Sequence, residues 1–257
     1  MKYMEDNNLK TEILDKNENF IDLLSDDKAF DFMLYNQEKA FKAIQNKKKI
    51  MIKVVNALTN KLSQNKLSRL IYVGAGTSGR IGVQDGVELI PTFGWPKNRN
   101  VYLIAGGIKA LLESIENAED DIKEAEKAVI LNKISKQDVV IGLSASGNTP
   151  YTNQVLKLAR KKGALTIGIT NNYSTLLESN SEIHITLDTG PEVIAGSTRL
   201  TAGTAQKICL NIISSLTMIN LGNVKNGQMV NMLPLNNKLK KRAQNINKIL
   251  GLGSTDD

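Results

Sequence analysis

Two short loops gather the groups that could hold an anion. Gly74-Ala75-Gly76-Thr77-Ser78-Gly79-Arg80 follows the apolar run Arg69–Val73, and Ser144-Ala145-Ser146-Gly147-Asn148-Thr149-Pro150 follows Val139–Leu143. Each sets hydroxyls and glycines where a strand gives way to a helix. Backbone N–H groups at a helix N-terminus carry partial positive charge, and with neighbouring hydroxyls they make good phosphate ligands. Pro150 suits a first helical turn, where its missing N–H would be unpaired in any residue. The first loop also fits GxGxxG, but a dinucleotide site needs an acidic residue about 20 positions on, at a strand end, for the ribose. The second strand ends instead in Ala105-Gly106-Gly107, and Glu88 falls inside the intervening segment. No nicotinamide cofactor is expected. A plain Ser/Thr helix cap explains one such loop; two on neighbouring strand ends make a crevice at the carboxyl edge of a sheet.

The elements that must position these loops are legible as a change of rhythm. Residues 1–36 form a polar lead followed by short helices, with Asp26 and Asp27 at a helix start. From Gln37 to Leu62 the spacing is helical, with Phe41, Ile44, Met51, Val55, Leu58 and Leu62 on one stripe and Lys48 as a gap. Five apolar runs follow: Arg69–Val73, Val101–Ala105, Val139–Leu143, Leu165–Thr170 and Ile183–Leu187. They read as buried parallel strands. Helical patterns separate them, most clearly over Ile108–Leu131 and Thr149–Lys162. This alternation predicts an α/β fold with a doubly wound, mostly parallel five-stranded sheet. Ala202–Leu221 is apolar on nearly every side and reads as a buried or interface helix, with Gly203 open to close approach by another backbone. Asn223–Pro234 reads as a loop, and Leu235, Leu239, Ala243, Ile246 and Leu250 as one last helix. The expected divisions are a helical extension over 1–65, the sheet domain over 66–222 and a loop with a terminal helix over 223–257.

Composition narrows the chemistry. The chain of 257 residues holds one histidine, His184, and one cysteine, Cys209. That excludes a disulfide framework and Cys-rich zinc modules, and argues against a histidine metal site. Acid–base chemistry must lean on carboxylates, lysine or tyrosine. His184 and Cys209 sit in apolar contexts and read as core residues. The net charge of +7 raises nucleic acid as a partner, but its distribution argues against it. Seven basic residues and no acidic ones lie between Gln45 and Leu70, and six basic and two acidic between Asn223 and Asp257, without an aromatic residue in either stretch. No stretch approaches the roughly 20 apolar residues of a membrane span, and the polar lead lacks the apolar core of a signal peptide. The expected location is cytoplasmic, with neither membrane nor nucleic acid as partner.

The two loops, in this order, resemble the SIS (sugar isomerase) domain of phosphosugar enzymes and regulators. GAGTSGR, Glu88 followed by Pro91-Thr92-Phe93-Gly94, Ala105-Gly106-Gly107, Ala118-Glu119-Asp120-Asp121, ASGNTPY and the segment Gly190-Pro191-Glu192-Val193-Ile194-Ala195-Gly196-Ser197-Thr198-Arg199-Leu200 are similar to one branch, the N-acetylmuramic acid 6-phosphate etherases. The likeness runs from about Glu38 to Ile246. It departs at Gly86-Val87 and Leu89-Ile90 around the first glutamate, and at Thr201, where the family usually has lysine.

The resemblance implies two catalytic carboxylates, Glu88 and Glu119. Read from the residues alone, each could equally be an exposed acid on a helix. It further implies that Glu88 protonates the leaving lactate oxygen and Glu119 takes the C2 proton, with one carboxyl ionised and the other protonated, and with no metal or organic cofactor. Glu88, nine residues beyond Gly79, is expected near the sugar. Gly76, Thr77, Ser78, Gly79, Ser144, Ser146, Gly147, Asn148 and Thr149 are expected to hold the phosphate, with Glu192 and Ser197 also at the substrate. The implied partners are a phosphorylated amino sugar and a second copy of the chain, in a homodimer whose subunits complete each other's sites. Two other readings of the same loops are a phosphosugar isomerase and a non-catalytic sugar-phosphate sensor like the glucokinase regulatory protein.

Overall fold

In a computed structural model that describes residues 9–15, 20–234 and 237–250, each of the five apolar runs is a strand. They are β1 (Leu70–Gly74), β2 (Asn100–Ile104), β3 (Val139–Ser144), β4 (Leu165–Thr170) and β5 (Ile183–Thr186). All pair in parallel, in the order β2-β1-β3-β4-β5. Alternate residues of each strand enter opposite cores. On one face Leu70, Tyr72, Ile141, Leu143 and Ile167 pack under α1 (Asp26–Gln45), α2 (Lys48–Gln64), α3 (Gly76–Phe93) and α7 (Thr201–Asn220). On the other, Ile71, Val73 and Val140 meet α4 (Ile122–Leu131), α5 (Pro150–Lys161) and α6 (Leu176–Asn180). The result is the expected doubly wound sandwich, with the strand order reversing between β1 and β3.

The two ends of the sheet do different work. At the amino ends of β1 and β3, Arg69 forms a two-pronged pair with buried Asp138, Nε to Oδ1 at 2.8 Å and Nη2 to Oδ2 at 2.9 Å. The carboxyl ends carry the two hydroxyl–glycine loops. Between β1 and α3 the chain turns so tightly that Gly74 and Gly79 lie backbone against backbone; a Cβ on Gly79 would fall 2.9 Å from the Gly74 carbonyl.

Three expectations need correction. The helical stripe of Gln37–Leu62 is two helices, broken at Asn46-Lys47 between α1 and α2, and Phe41 on that stripe is exposed. Ile108–Leu131 is not one helix. It is divided at left-handed Asn117 into 3-10 turns at Ile108–Leu111 and Ala118–Asp120, and only α4 is α-helical. Asn223–Pro234 contains a hairpin, β6 (Val224–Lys225) with β7 (Gln228–Met229), closed by Asn226-Gly227 with both residues at positive φ, as a two-residue hairpin turn demands. The terminal helix is α8 (Asn237–Leu250), and Leu235 lies outside the described residues. The helix read as buried or interface is buried: α7 finds its apolar cover inside the chain, against α1, α2 and α3. The close neighbours of Gly203 are the chain's own Thr198 carbonyl and Thr77 side chain, both 3.3 Å from a would-be Cβ.

Candidate functional site

The crevice forms where the strand order reverses. β1 leads into Ala75 and Gly76, which turns at φ 51°, and α3 begins with no side chain capping its first N–H groups. Thr77 and Ser78 on that turn face the crevice. β3 leads into the second loop, whose hub is the Ser144 hydroxyl. It accepts from the Gly147 N–H at 2.9 Å and lies 2.8 Å from Thr149 Oγ1 and 3.2 Å from Ser146 Oγ. Ser146 Oγ accepts from the Asn148 N–H at 3.2 Å. Gly147, at φ 76°, is clamped below α6: its carbonyl accepts from the Leu177 N–H, and a Cβ there would strike Thr175 at 2.5 Å. The Asn148 amide oxygen accepts from the Leu176 N–H at 3.2 Å, so this residue also fastens the loop to α6.

The crevice holds about 720 Å³. Gly76, Thr77 and Ser78 line it from the first loop, and Ser144, Ser146, Asn148 and Thr149 from the second. Two uncapped helix starts and their hydroxyls meet here, a floor suited to a phosphate group. Gly79 and Gly147 do not line it; both hold backbone in place behind it.

Glu119 reaches the same crevice from the short Ala118–Asp120 turn, together with Asp120. The left-handed Asn117 starts that turn, and the Asp121 carboxylate, accepting from the Glu124 N–H at 2.8 Å, ends it by capping α4. Glu119 is exposed at the mouth.

Glu88 does not come to this crevice. Helical rise is about 1.5 Å per residue, so the twelve residues from Gly76 carry it roughly 18 Å along α3. It lies on the exposed side of the helix beside Val87. Nearness in sequence to the first loop is distance in space, because the intervening residues are straight helix.

Glu192 and Ser197 are also elsewhere. Glu192 is 3% exposed, and its two carboxylate oxygens accept from the Thr201 and Ala202 N–H groups at 2.9 and 2.8 Å, capping α7 from a distance. It borders a separate, largely apolar cavity of about 360 Å³ shared with α1. Ser197 turns its N–H to the Ile194 carbonyl, and its neighbour Thr198 faces the crevice in its place. Two further lining residues, Leu9 and Glu12, come from the polar lead. Nothing in their local pattern marked them, because contacts across more than 160 residues set their position.

The deep ionisable groups lie off the crevice. Asp85, on the inner side of α3, accepts from Tyr72 Oη at 3.0 Å, Asn211 Nδ2 at 2.8 Å and Ser214 Oγ at 3.0 Å, and burial raises its pKa against the pull of those donors. Cys209, wholly buried in α7, has its thiol pushed up to about 12 by burial, which makes it inert. His184 in β5 lies 3.0 Å from Thr170 Oγ1, and burial lowers its pKa.

Comparison with known proteins bears on this site. Residues 49–160 match the glucokinase regulatory protein N-terminal SIS domain. The chain is 43% identical over 226 residues to an N-acetylmuramic acid 6-phosphate etherase of Deinococcus radiodurans, covering 88% of this chain and 73% of the relative. It is 40% identical over 236 residues to one of Exiguobacterium sp., covering 92% and 80%. With one of Lactococcus lactis it shares 46% identity over 182 residues, covering 71% of this chain and 61% of that protein. Among solved structures, a phosphoheptose isomerase of Francisella tularensis superposes with a TM-score of 0.55 at 16% identity, over 77% of this chain and 98% of that one. A protein of E. coli CFT073 superposes at 0.57 with 15% identity, over 79% and 97%. At such identities the likeness is one of fold.

Proposed function

Since the chain belongs to the N-acetylmuramic acid 6-phosphate etherase family, we propose that it converts N-acetylmuramic acid 6-phosphate and water into N-acetylglucosamine 6-phosphate and D-lactate. The observation that carries this reading is the meeting of two phosphate-type loops and Glu119 in one crevice at the strand-order reversal. The phosphate sits on the hydroxyls and helix starts. With the sugar ring open, the aldehyde makes the C2 proton acidic. Glu119 takes that proton, the C3–O bond breaks, and lactate leaves with its oxygen protonated by Glu88. Water then adds across the C2–C3 double bond, its oxygen at C3 and its proton at C2. The overall reaction class is carbon–oxygen lysis, in the recycling of cell-wall sugar in the cytoplasm. Isomerases of this kind usually place a histidine or lysine at the open-chain sugar; His184 is held in β5 beside Thr170, and among the described residues neither type lines the crevice.

Glu88 reaches the chemistry as part of a homodimer, each chain supplying Glu88 to its neighbour's crevice. Three exposed features support this. Val87, beside Glu88, is 45% exposed. Phe30, Leu34 and Phe41 form one edge of α1 and are 66%, 58% and 60% exposed. Ile108 and Leu112 lie in the turn whose carbonyls at Ala110, Leu111 and Glu113 are held by Arg80 of α3. Exposed apolar surface of this kind supports an interface.

The test is release of D-lactate from N-acetylmuramic acid 6-phosphate. Glu88→Ala and Glu119→Ala should each lose about 10²–10⁴-fold in rate. In heavy water Glu88→Ala should still exchange the C2 hydrogen, and Glu119→Ala should not. Mixing the two inactive chains should restore up to about a quarter of wild-type activity, since half the random dimers carry one intact site. No restoration on mixing overturns the shared site, and near-full activity in both variants overturns the etherase reading.

A further inference from the structure

The crevice is closed on one side by a segment that lies far away in sequence. Leu9 and Thr11 are buried at 1% and 0% exposure, although both belong to a polar stretch. Three ties fix the backbone there. The Thr11 carbonyl accepts from the Gly196 N–H at 3.0 Å. The Thr11 hydroxyl accepts from Asn172 Nδ2 at 3.0 Å, and the same Asn172 amide donates to the Ala145 carbonyl of the second phosphate loop at 2.9 Å. Lys10 pairs with Asp188 at 2.7 Å. The segment is thus gauged against the phosphate loop itself through a single asparagine.

These ties leave Glu12 with its carboxylate at the crevice wall. The Thr11 hydroxyl donates to Oε1 at 3.4 Å, and Oε2 passes over Gly196, where a Cβ would lie 2.9 Å away. Gly196, at φ 75°, makes the room. A carboxylate here repels a phosphate dianion, so it opposes the loops unless a ligand brings donors to it. The crevice is therefore polarised, with N–H and hydroxyl groups on the floor and Glu12, Glu119 and Asp120 around the mouth.

We propose that Glu12 is a specificity-determining residue, which accepts hydrogen bonds from the hydroxyl or amide N–H groups of a sugar phosphate and turns away anions that carry none. This rests on the sugar-phosphate reading of the crevice. It concerns recognition, and Glu12 takes no part in moving the C2 proton or the lactate oxygen.

The test compares two ligands by calorimetry, N-acetylglucosamine 6-phosphate and inorganic phosphate, on the full chain and on Glu12→Gln, Glu12→Ala and Lys10→Ala. Glu12→Ala should lower affinity for the sugar phosphate by about tenfold or more, the value of a hydrogen bond to a charged group. Affinity for inorganic phosphate should hold or rise in both Glu12 variants. Lys10→Ala, which loosens the segment without touching the crevice, should shift both ligands alike, and Glu12→Gln should melt with the wild type. Equal losses for both ligands, no loss for the sugar phosphate, or the same selective pattern in Lys10→Ala overturns the assignment to Glu12. A wild type that cleaves substrate beside an unaffected Glu12→Ala overturns this inference alone. A wild type that does not prefer the sugar phosphate to phosphate overturns the function reading with it.

Discussion

Replacing Gly79 by alanine tests whether the β1–α3 contact sets the phosphate floor. The new Cβ would lie 2.9 Å from both the carbonyl carbon and oxygen of Gly74 and 3.3 Å from Ile104 Cγ2. The first two are backbone atoms, so no side chain can rotate away. Ordinary contact begins near 3.4 Å, and the first turn of α3 must lift from β1 by about half an ångström. Overpacking of this kind costs about 1–3 kcal/mol. At roughly 2–4 °C per kcal/mol for a chain of this size, melting should fall by about 2–12 °C. The same turn carries Thr77 and Ser78, and misplacing binding groups by about that amount should weaken phosphate binding by roughly tenfold. Gly82→Ala, one turn on, is the control, since its Cβ meets only the side chains of Tyr72 and Leu143, at 3.3 and 3.4 Å. The assays are thermal melting and phosphate titration. A Gly79→Ala chain that melts and binds like Gly82→Ala refutes the reasoning.

Ser144→Ala leaves the buried Gly147 N–H without its acceptor, so it should lower both stability and substrate affinity by about 1–3 kcal/mol, read by urea unfolding and KM. Ser146→Ala should weaken substrate binding by about 1–3 kcal/mol with little change in unfolding; an unchanged KM counts against its role as a phosphate ligand. Asp85→Asn tests the sign of a buried charge. Folding raises the Asp85 pKa, so the protonated form is favoured in the folded chain, and the stability it contributes is full below its ordinary value near 4 and lost as pH rises through the raised one. Across that window the stability of the wild type relative to Asp85→Asn should fall as pH rises, measured by urea unfolding, and a difference independent of pH refutes it.

The sheet was readable because a buried parallel strand needs apolar residues on both faces, and five such runs stood out between helical patterns. The two loops that line the crevice were readable because each packs its hydroxyls and glycines into seven consecutive residues. What local pattern could not convey was direction and distance. Glu88 looks close to Gly79 in sequence, yet helix geometry sends it down α3 to the exposed side. Glu192 looked like a ligand, and its carboxylate caps α7 nine and ten positions away. The apolar α7 read equally as buried or as an interface, and only its contacts with α1, α2 and α3, distant in sequence, show that it is buried. The Asn226-Gly227 turn did carry a local hairpin signal, which its short, polar strands obscured.

The segment around Thr11 has a consequence for the order of events during synthesis. Its anchors lie 161 residues away at Asn172 and 178 away at Asp188. A ribosome adding about 5–20 residues per second makes those anchors about 10–40 s after residue 10. Through that interval Leu9 and Thr11 have no seat. β1 and α3 are made before the anchor at Asn172, so the first hydroxyl–glycine loop can take shape on a nascent chain while one wall is still missing; the second loop also waits, because Gly147 and Asn148 are tied to Leu177 and Leu176 of α6. The wall that carries Glu12 and the seat of the second loop are therefore completed by the same late stretch of chain, and a chain stalled before residue 172 would hold only the turn between β1 and α3.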